Sequence, residues 1–394
     1  MSGPQIKGWC PGALRPMMSG DGLVVRVRPR DGRLTADQAQ GIAALADRHG
    51  NGLIDLSARA NLQLRGVTDR HYGGLIDGLA QLGLVDASAE AEARRNIVVT
   101  PFWTDGDDTH LLCAQLAQEL AADDAPQTPG KFGYAVDCGA TAVLRTVSAD
   151  IRTERGAGGG LVVRADGAAA GAGVTKATAV RTALALARWF LESGGAPQGR
   201  GRMAAHLARG ATLPEAFSVA ACLPDQTAAF NPRPGGCAQG YLVGFEFGQM
   251  PAETLHRLAE IGPMRVTPWR MLLIEGAVDG PELPGLIITP TDPRLRVIAC
   301  TGAPGCLQAL VATRPLAQSL AQSLVPSLPD GALLHVSGCA KGCAHPGAAA
   351  FTLVGRPGGS FDLIRDGSAG DRPLKTGLTA DLLTISPDIL TEFP

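Results

Sequence analysis

The 394-residue sequence predicts a mixed α/β protein with an internal duplication, and three observations carry that reading. Strand-like and helix-like segments alternate along most of the chain. Two separated stretches repeat the order strand, helix, Arg-bearing turn, strand. Four cysteines gather in two tight pairs near the C-terminus, each behind a strand-like run. At about 150 residues per domain the length accommodates more than one domain. Composition and pattern shifts set the expected segments at 1–90, 91–225, 226–285 and 286–394.

The first copy of the repeat opens with a strand over Gly22–Arg28 and a turn over Pro29–Arg33. Thr35 and Gln38 then form a T-x-x-Q capping box before a helix over Ala36–His49, with Gly50 at its C-terminal end. Leu53–Leu56 follows, and Ser57–Gly66 alternates in the manner of a strand. The second copy has a strand from Gly240 to Phe247 and a helix over Pro251–Ile261. The Arg-bearing run Met264–Arg270 and the apolar strand Met271–Ile274 complete it. Between the copies, strands are expected over Asn96–Thr100, Ala142–Val147 and Gly160–Val163, with helices over Thr109–Ala122 and Thr175–Ser193. Beyond Asp292, strands over Leu295–Ala299 and Leu333–Val336 each lead into a cysteine pair.

Composition excludes several classes. Lys+Arg (35) nearly balance Asp+Glu (37), whereas a nucleic-acid scaffold carries a basic excess. Aromatics are only 4%, which leaves few platforms for stacking bases. No apolar run reaches the roughly 18 residues needed to span a bilayer. Met1–Gly22 lacks a continuous apolar stretch of the secretory kind, so a cytoplasmic protein with reduced thiols is expected. Gly156–Gly160 precedes a strand and opens no helix, which is the wrong setting for a nicotinamide fingerprint.

Cys300 and Cys306 form C-x5-C, and Cys339 and Cys343 form C-x3-C. Gly302, Gly305, Gly338 and Gly342 allow tight backbone around the sulfurs and free N–H groups. Four thiolates suit a tetrahedral zinc or a 4Fe–4S cube. The x5 arm exceeds the usual zinc knuckle and favours the cube. Cys10, Cys113, Cys138, Cys222 and Cys237 are scattered, and packing is the expected role for most.

The cysteine set, the S-x-R-x-N-x-Q run at Ser57–Gln63 and Pro129–Phe132 together resemble the sirohaem and 4Fe–4S nitrite/sulfite reductase superfamily. That resemblance implies that the repeated stretches are ferredoxin-like half-domains paired by a pseudo-twofold duplication. It also implies two mixed α/β domains, the last holding the cluster. The G-W-C-P-G start (Gly8–Gly12), Lys131–Asp137 and the R-V-T-P-W-R run (Arg265–Arg270) are similar to one branch, the precorrin-3B synthases of aerobic cobalamin biosynthesis. Arg26, Arg95 and Lys131 resemble three of the four basic residues with which the reductases hold sulfite or nitrite. The fourth is Gly133 here, the Arg of the family's R-K-F-K motif is Gly130, and an Arg that helps hold sirohaem carboxylates is Asp55. These departures imply a site refitted for another ligand.

For this branch the resemblance implies oxygenation of precorrin-3A, a polycarboxylated tetrapyrrole, with O2 and two electrons from a separate NADH-dependent donor. Arg26, Arg59, Asn61, Gln63, Arg65, Arg95, Lys131, Arg265 and Arg270 are the implied substrate residues, because carboxylates favour bidentate arginine. A mononuclear non-haem iron beside the cluster is implied, with sirohaem absent. Among seven His, His345 is singled out by its place beside Cys343, and Asp55 is the other catalytic candidate. The alternatives are a small sirohaem sulfite or nitrite reductase and a non-catalytic protein stabilised by a cluster or zinc.

Overall fold

A computed structural model describes residues 11–156, 158–219, 230–325 and 328–392. Gly8, Trp9 and Cys10 of the G-W-C-P-G start, Cys222 and the expected boundary near 225 lie outside the described residues. Among the described residues no helix is long and apolar enough to cross a membrane.

The duplication is complete at the level of elements. The first half-sheet runs Met17–Ser19, Gly22–Val27, Leu62–Val67, Leu53–Leu56, then Gln249–Pro251. The second runs Gly235–Cys237, Gly240–Phe245, Met271–Glu275, Met264–Val266, then Arg33–Leu34. Each half therefore lends its short strand to the other's sheet: Met250 pairs with Ile54, and Leu34 pairs with Met264. Apolar side chains of both halves, including Val25, Ile54, Leu64, Leu255, Met264 and Ile274, form one core. Each fully buried Leu or Ile there stabilises the fold by about 1.5–3 kcal/mol, and both halves draw on that shared cluster.

The expected capping box is present. Thr35 Oγ1 accepts from the Gln38 amide and Gln38 Oε1 accepts from the Thr35 amide, both at 3.1 Å, at the head of helix Ala36–His49. Gly50 ends that helix for a different reason than a left-handed cap. Its φ is −116°, and a Cβ there would come within 2.5 Å of the Arg65 carbonyl. The Ser57–Gly66 run is only partly strand. Residues 57–61 form the hairpin turn that two antiparallel neighbours require, with Ala60 at φ 52°, and the strand is Leu62–Val67. The second helix is shorter than expected, Ala252–Ala259, with Pro251 at its N-cap.

A second duplication was not legible in the sequence. Ile97–Val99, Tyr134–Asp137 and Ile151–Arg155 run parallel, and Leu161–Ala165 and Ala172–Val174 continue antiparallel. Val297–Ala299, Leu334–Ser337 and Ala349–Gly355, then Ser360–Gly367 and Lys375–Thr379, repeat that plan. The strand expected over Ala142–Val147 is instead a loop. The Val143 and Leu144 amides donate to Asp137 Oδ2, and Arg152 takes the Leu144 and Val147 carbonyls. These partners satisfy the loop backbone without a ladder.

Candidate active site

One face of the first half-sheet is polar. Arg26 pairs with Gln63, Gln63 with Asp55, and Asp55 with Gln249, so the four residues stand in a row across four strands. Residues in register share a face. Their neighbours Val25, Val27, Ile54, Leu62 and Leu64 point the other way into the core. Arg65, two residues beyond Gln63, joins the polar face. Asp55 accepts from Arg65 Nη1 (3.3 Å), Arg314 Nη2 (3.3 Å) and Gln249 Nε2 (2.8 Å).

Arg26 differs from its neighbours. It is only 7% exposed, and its Nε and Nη1 have no hydrogen-bond partner among the described residues. A buried charged donor without an acceptor costs about 1–3 kcal/mol or more, so this guanidinium faces a place for an anionic oxygen. Arg270 holds the positive-φ position of the second half's turn (φ 60°), the counterpart of Ala60. Its Nη2 donates to the Ala344 carbonyl at 3.1 Å. Burial pulls its pKa down against the pull of Asp55, and Arg314 pushes the same way as burial.

The remaining substrate candidates divide by what they already bind. Arg59 Nη2 donates to the Lys131 carbonyl at 3.0 Å, and the Asn61 amide closes on Ser57 Oγ in the same turn. Gly133 lies beside them; a Cβ there would come 2.8 Å from Asn96 Nδ2 and 3.3 Å from Arg59 Nη1, so a longer side chain would require those two side chains to shift. Arg95 is forked onto Asp86 and also donates to the Arg28 carbonyl. Arg265 binds Glu275 and the Pro101 and Trp103 carbonyls, and lies over the Trp103 ring. Arg65 binds Asp21, Ser19, Asp55 and the Gly305 carbonyl. Arg65, Arg95 and Arg265 thus have their donors engaged inside the protein. Arg314 and Gln249 were missed in the sequence, because only strand register and the approach of the C-terminal sheet bring them to Asp55.

The cysteine arms lie against this face. Cys300 follows Val297–Ala299 and Cys339 follows Leu334–Ser337. The Gly338 amide donates to Cys300 Sγ at 3.1 Å, linking the two arms. Gly302 turns at φ 69°, where a Cβ would meet Thr313 Oγ1 at 2.5 Å. The Cys343 thiol pKa is raised: burial outweighs the pull of Lys341, and Cys339, Cys300 and Cys306 add to the rise. Four thiols on two arms, one already taking a backbone N–H, are the donor set a 4Fe–4S cluster requires. Among the described residues no three His, Cys, Asp or Glu side chains gather around one point. The side chains as placed therefore close neither a cluster cage nor a mononuclear iron site; the four thiols suit a cluster by donor chemistry and by their place behind two neighbouring strands, no ligand set stands out for a second iron, and no step is drawn through one. His345 Nε2 meets the Ala348 carbonyl at 3.1 Å, and its ring lies 5.7 Å from that of His335. His335 is fully buried, and burial pushes its pKa down to about 4.

Paired half-sheets that exchange strands, two α/β sheets of one plan and a four-thiol site define a nitrite/sulfite reductase-like class of oxidoreductase. Residues 15–82 match the family described as nitrite/sulfite reductase ferredoxin-like half domain. The Mycobacterium tuberculosis NirA protein shares the fold, with a TM-score of 0.64 at 17% identity over 93% of this chain and 79% of that one. A ferredoxin–nitrite reductase of Synechococcus elongatus is 24% identical over 404 residues, 86% of this chain and 77% of that protein. A precorrin-3B synthase of Sinorhizobium sp is 32% identical over 397 residues, 93% of this chain and 84% of that protein. The chain belongs to the precorrin-3B synthase family.

Proposed function

We propose that the protein converts precorrin-3A to precorrin-3B as an O2-dependent monooxygenase holding a 4Fe–4S cluster on Cys300, Cys306, Cys339 and Cys343, without sirohaem. One oxygen atom of O2 enters the substrate as a ring-edge hydroxyl, and the other leaves as water with two electrons and two protons. The hydroxyl oxygen and a substrate carboxylate add across one ring-edge C=C bond, so that the π bond is lost, one carbon carries the hydroxyl, its neighbour carries the lactone oxygen, and the carboxyl proton ends on the hydroxyl. Cys300, Cys306, Cys339 and Cys343 would hold the cluster, which would supply one-electron transfer from a separate NADH-dependent donor.

The observation that carries this reading is the buried guanidinium of Arg26 with Nε and Nη1 unpartnered on a polar sheet face. Such a group asks for a carboxylate, and a polycarboxylated tetrapyrrole supplies several. Arg59, Asn61, Gln63, Lys131 and Arg270 extend that surface. Asp55 has both oxygens occupied and acts on the substrate through the arginines it orients. Arg65, Arg95 and Arg265 shape the site from within. His345 lines the Cys343 arm. Glycine at position 133, crowded by Asn96 and Arg59, also supports the reading, since the reductases place an anion-binding Lys there.

The test is turnover by the purified protein with a chemical reductant under two conditions. With precorrin-3A and air, the reading predicts loss of the substrate and an oxygenated product. With sulfite or nitrite under argon, it predicts no sulfide or ammonia. Reduction of sulfite or nitrite at about 1 per second or faster, with precorrin-3A untouched, would reverse the assignment.

A further inference from the structure

The peptide group that leads into Cys306 is held at both ends. Its carbonyl, that of Gly305, accepts from Ser19 Oγ (2.6 Å), the Gly20 amide (3.2 Å) and Arg65 Nη2 (2.8 Å). Its N–H, that of Cys306, donates to the Gly302 carbonyl at 2.8 Å. Three donors on one carbonyl oxygen exceed its two lone pairs, and all three come from the first half-sheet. Arg65 is itself fixed, 5% exposed and forked onto Asp21 at 2.9 and 2.7 Å. Gly20 lies so close to the arm that a Cβ there would come 1.9 Å from the Pro304 carbonyl oxygen. Between Ala299 and Arg314 the arm forms no strand or helix of its own; its further bonds are within itself, as from the Ala303 amide to the Val311 carbonyl (2.8 Å), or to Gly338, as from the Leu310 amide (2.8 Å), and none of these reaches the Gly305–Cys306 peptide.

We propose that Arg65, with Ser19 and the Gly20 amide, is a positioning clamp that fixes the Cys306 arm against the first half-sheet. The proposal rests on the reading of Cys306 as a cluster ligand. It assigns Arg65 to the cysteine arm and away from the substrate. Because Asp55 holds Arg65 on one oxygen and Arg314 on the other, the polar sheet face and the cysteine arm share one hydrogen-bonded frame.

The experiment compares Arg65→Met with Arg152→Met. Arg152 is an equally buried arginine in the N-terminal α/β sheet that binds Asp166 and the Leu144 and Val147 carbonyls and bonds to neither cysteine arm. Two rates are read: anaerobic loss of the cluster's visible absorption to a chelator, and alkylation of Cys306 relative to Cys339 in the cluster-free full chain. Arg65→Met is expected to raise both about tenfold or more, the worth of a charge-assisted hydrogen bond. Arg65→Lys should recover little, because a point charge does not replace the fork that engages Asp21. Ser19→Ala, a milder change should Arg65→Met fold poorly, is expected to raise both about two- to tenfold. Arg152→Met should leave both at the wild-type rate. Equal rates in Arg65→Met and Arg152→Met, or a wild-type rate in Ser19→Ala, would overturn the clamp. Absence of iron and sulfide from the wild-type protein would overturn the cluster reading instead, while Cys306 labelling still decides the clamp.

Discussion

The two α/β sheets share one plan, yet only the C-terminal one carries cysteine arms, and the difference lies in how each closes its loops. At the end of the second parallel strand the N-terminal sheet has Asp137-Cys138, whereas the C-terminal sheet has Ser337-Gly338-Cys339. Asp137 draws the amides of Val143 and Leu144 onto its carboxylate and folds the following loop into the core. Cys138 is then buried, its Sγ 3.7 Å from the Thr153 carbonyl, and burial pushes its thiol pKa up to about 12. In the other sheet Ser337 donates only to the Cys339 carbonyl, and the Gly338 amide is left to reach Cys300 Sγ. A cysteine behind a strand is packed into the core or kept on an open loop according to which backbone groups that loop leaves over.

The largest test of that contrast is deletion of thiols. Replacing Cys300, Cys306, Cys339 or Cys343 with Ser should remove the iron–sulfur absorption and loosen the C-terminal sheet, since ligation and folding are coupled. Cys113→Ser and Cys138→Ser should keep the absorption and cost about 1–2 kcal/mol in urea melts, the burden of a buried hydroxyl. Loss of the chromophore in Cys138→Ser would erase the distinction between the sheets.

A second contrast separates arginines by their partners. Arg26→Ala should weaken binding of a carboxylated tetrapyrrole by about 1.5–3 kcal/mol, a 10- to 150-fold rise in Kd, without lowering stability. Arg59→Ala and Lys131→Ala should weaken it in the same direction. Arg265→Ala should instead cost about 3 kcal/mol of stability, because Glu275 loses a buried partner. Titration calorimetry and urea melts read the two effects independently.

The third contrast is with pH. Burial raises Asp137 from 3.8 to about 6, so its contribution to stability is present below pH 3.8 and lost as pH rises through 6. Burial lowers His335 from 6.5 to about 4, so its contribution is present above pH 6.5 and lost as pH falls through 4. Between these limits the two sheets respond in opposite directions. From pH 7 to pH 5, Asp137→Asn should expose a loss of about 2 kcal/mol owed to His335. His335→Leu should expose a gain of about 1 kcal/mol owed to Asp137. Parallel pH profiles in the two variants would contradict both assignments. Gly133→Ala should cost about 1–2 kcal/mol from contact with Asn96 and Arg59.

Local signals carried much of the fold. Thr35 and Gln38 announce their helix because a capping box is closed within four residues, and the cysteine arms announce themselves by spacing. Ala142–Val147 misled because its apolar residues are buried as a loop, held by Asp137 and Arg152 from outside the segment. The site was legible as a set of basic residues but not as roles. Arg26 and Arg65 occupy alternating positions on neighbouring strands, and nothing local separates an open guanidinium from one engaged by Asp21 and Gly305. Arg314 and Gln249 became visible only through register and the docking of a distant sheet.

The most direct measurement is turnover of precorrin-3A under isotopically labelled O2, with the product weighed by mass spectrometry. The account predicts one oxygen atom from O2 in the product, and loss of that product when Arg26 is replaced. An unlabelled product, or an unchanged substrate beside active reduction of sulfite or nitrite, would contradict it.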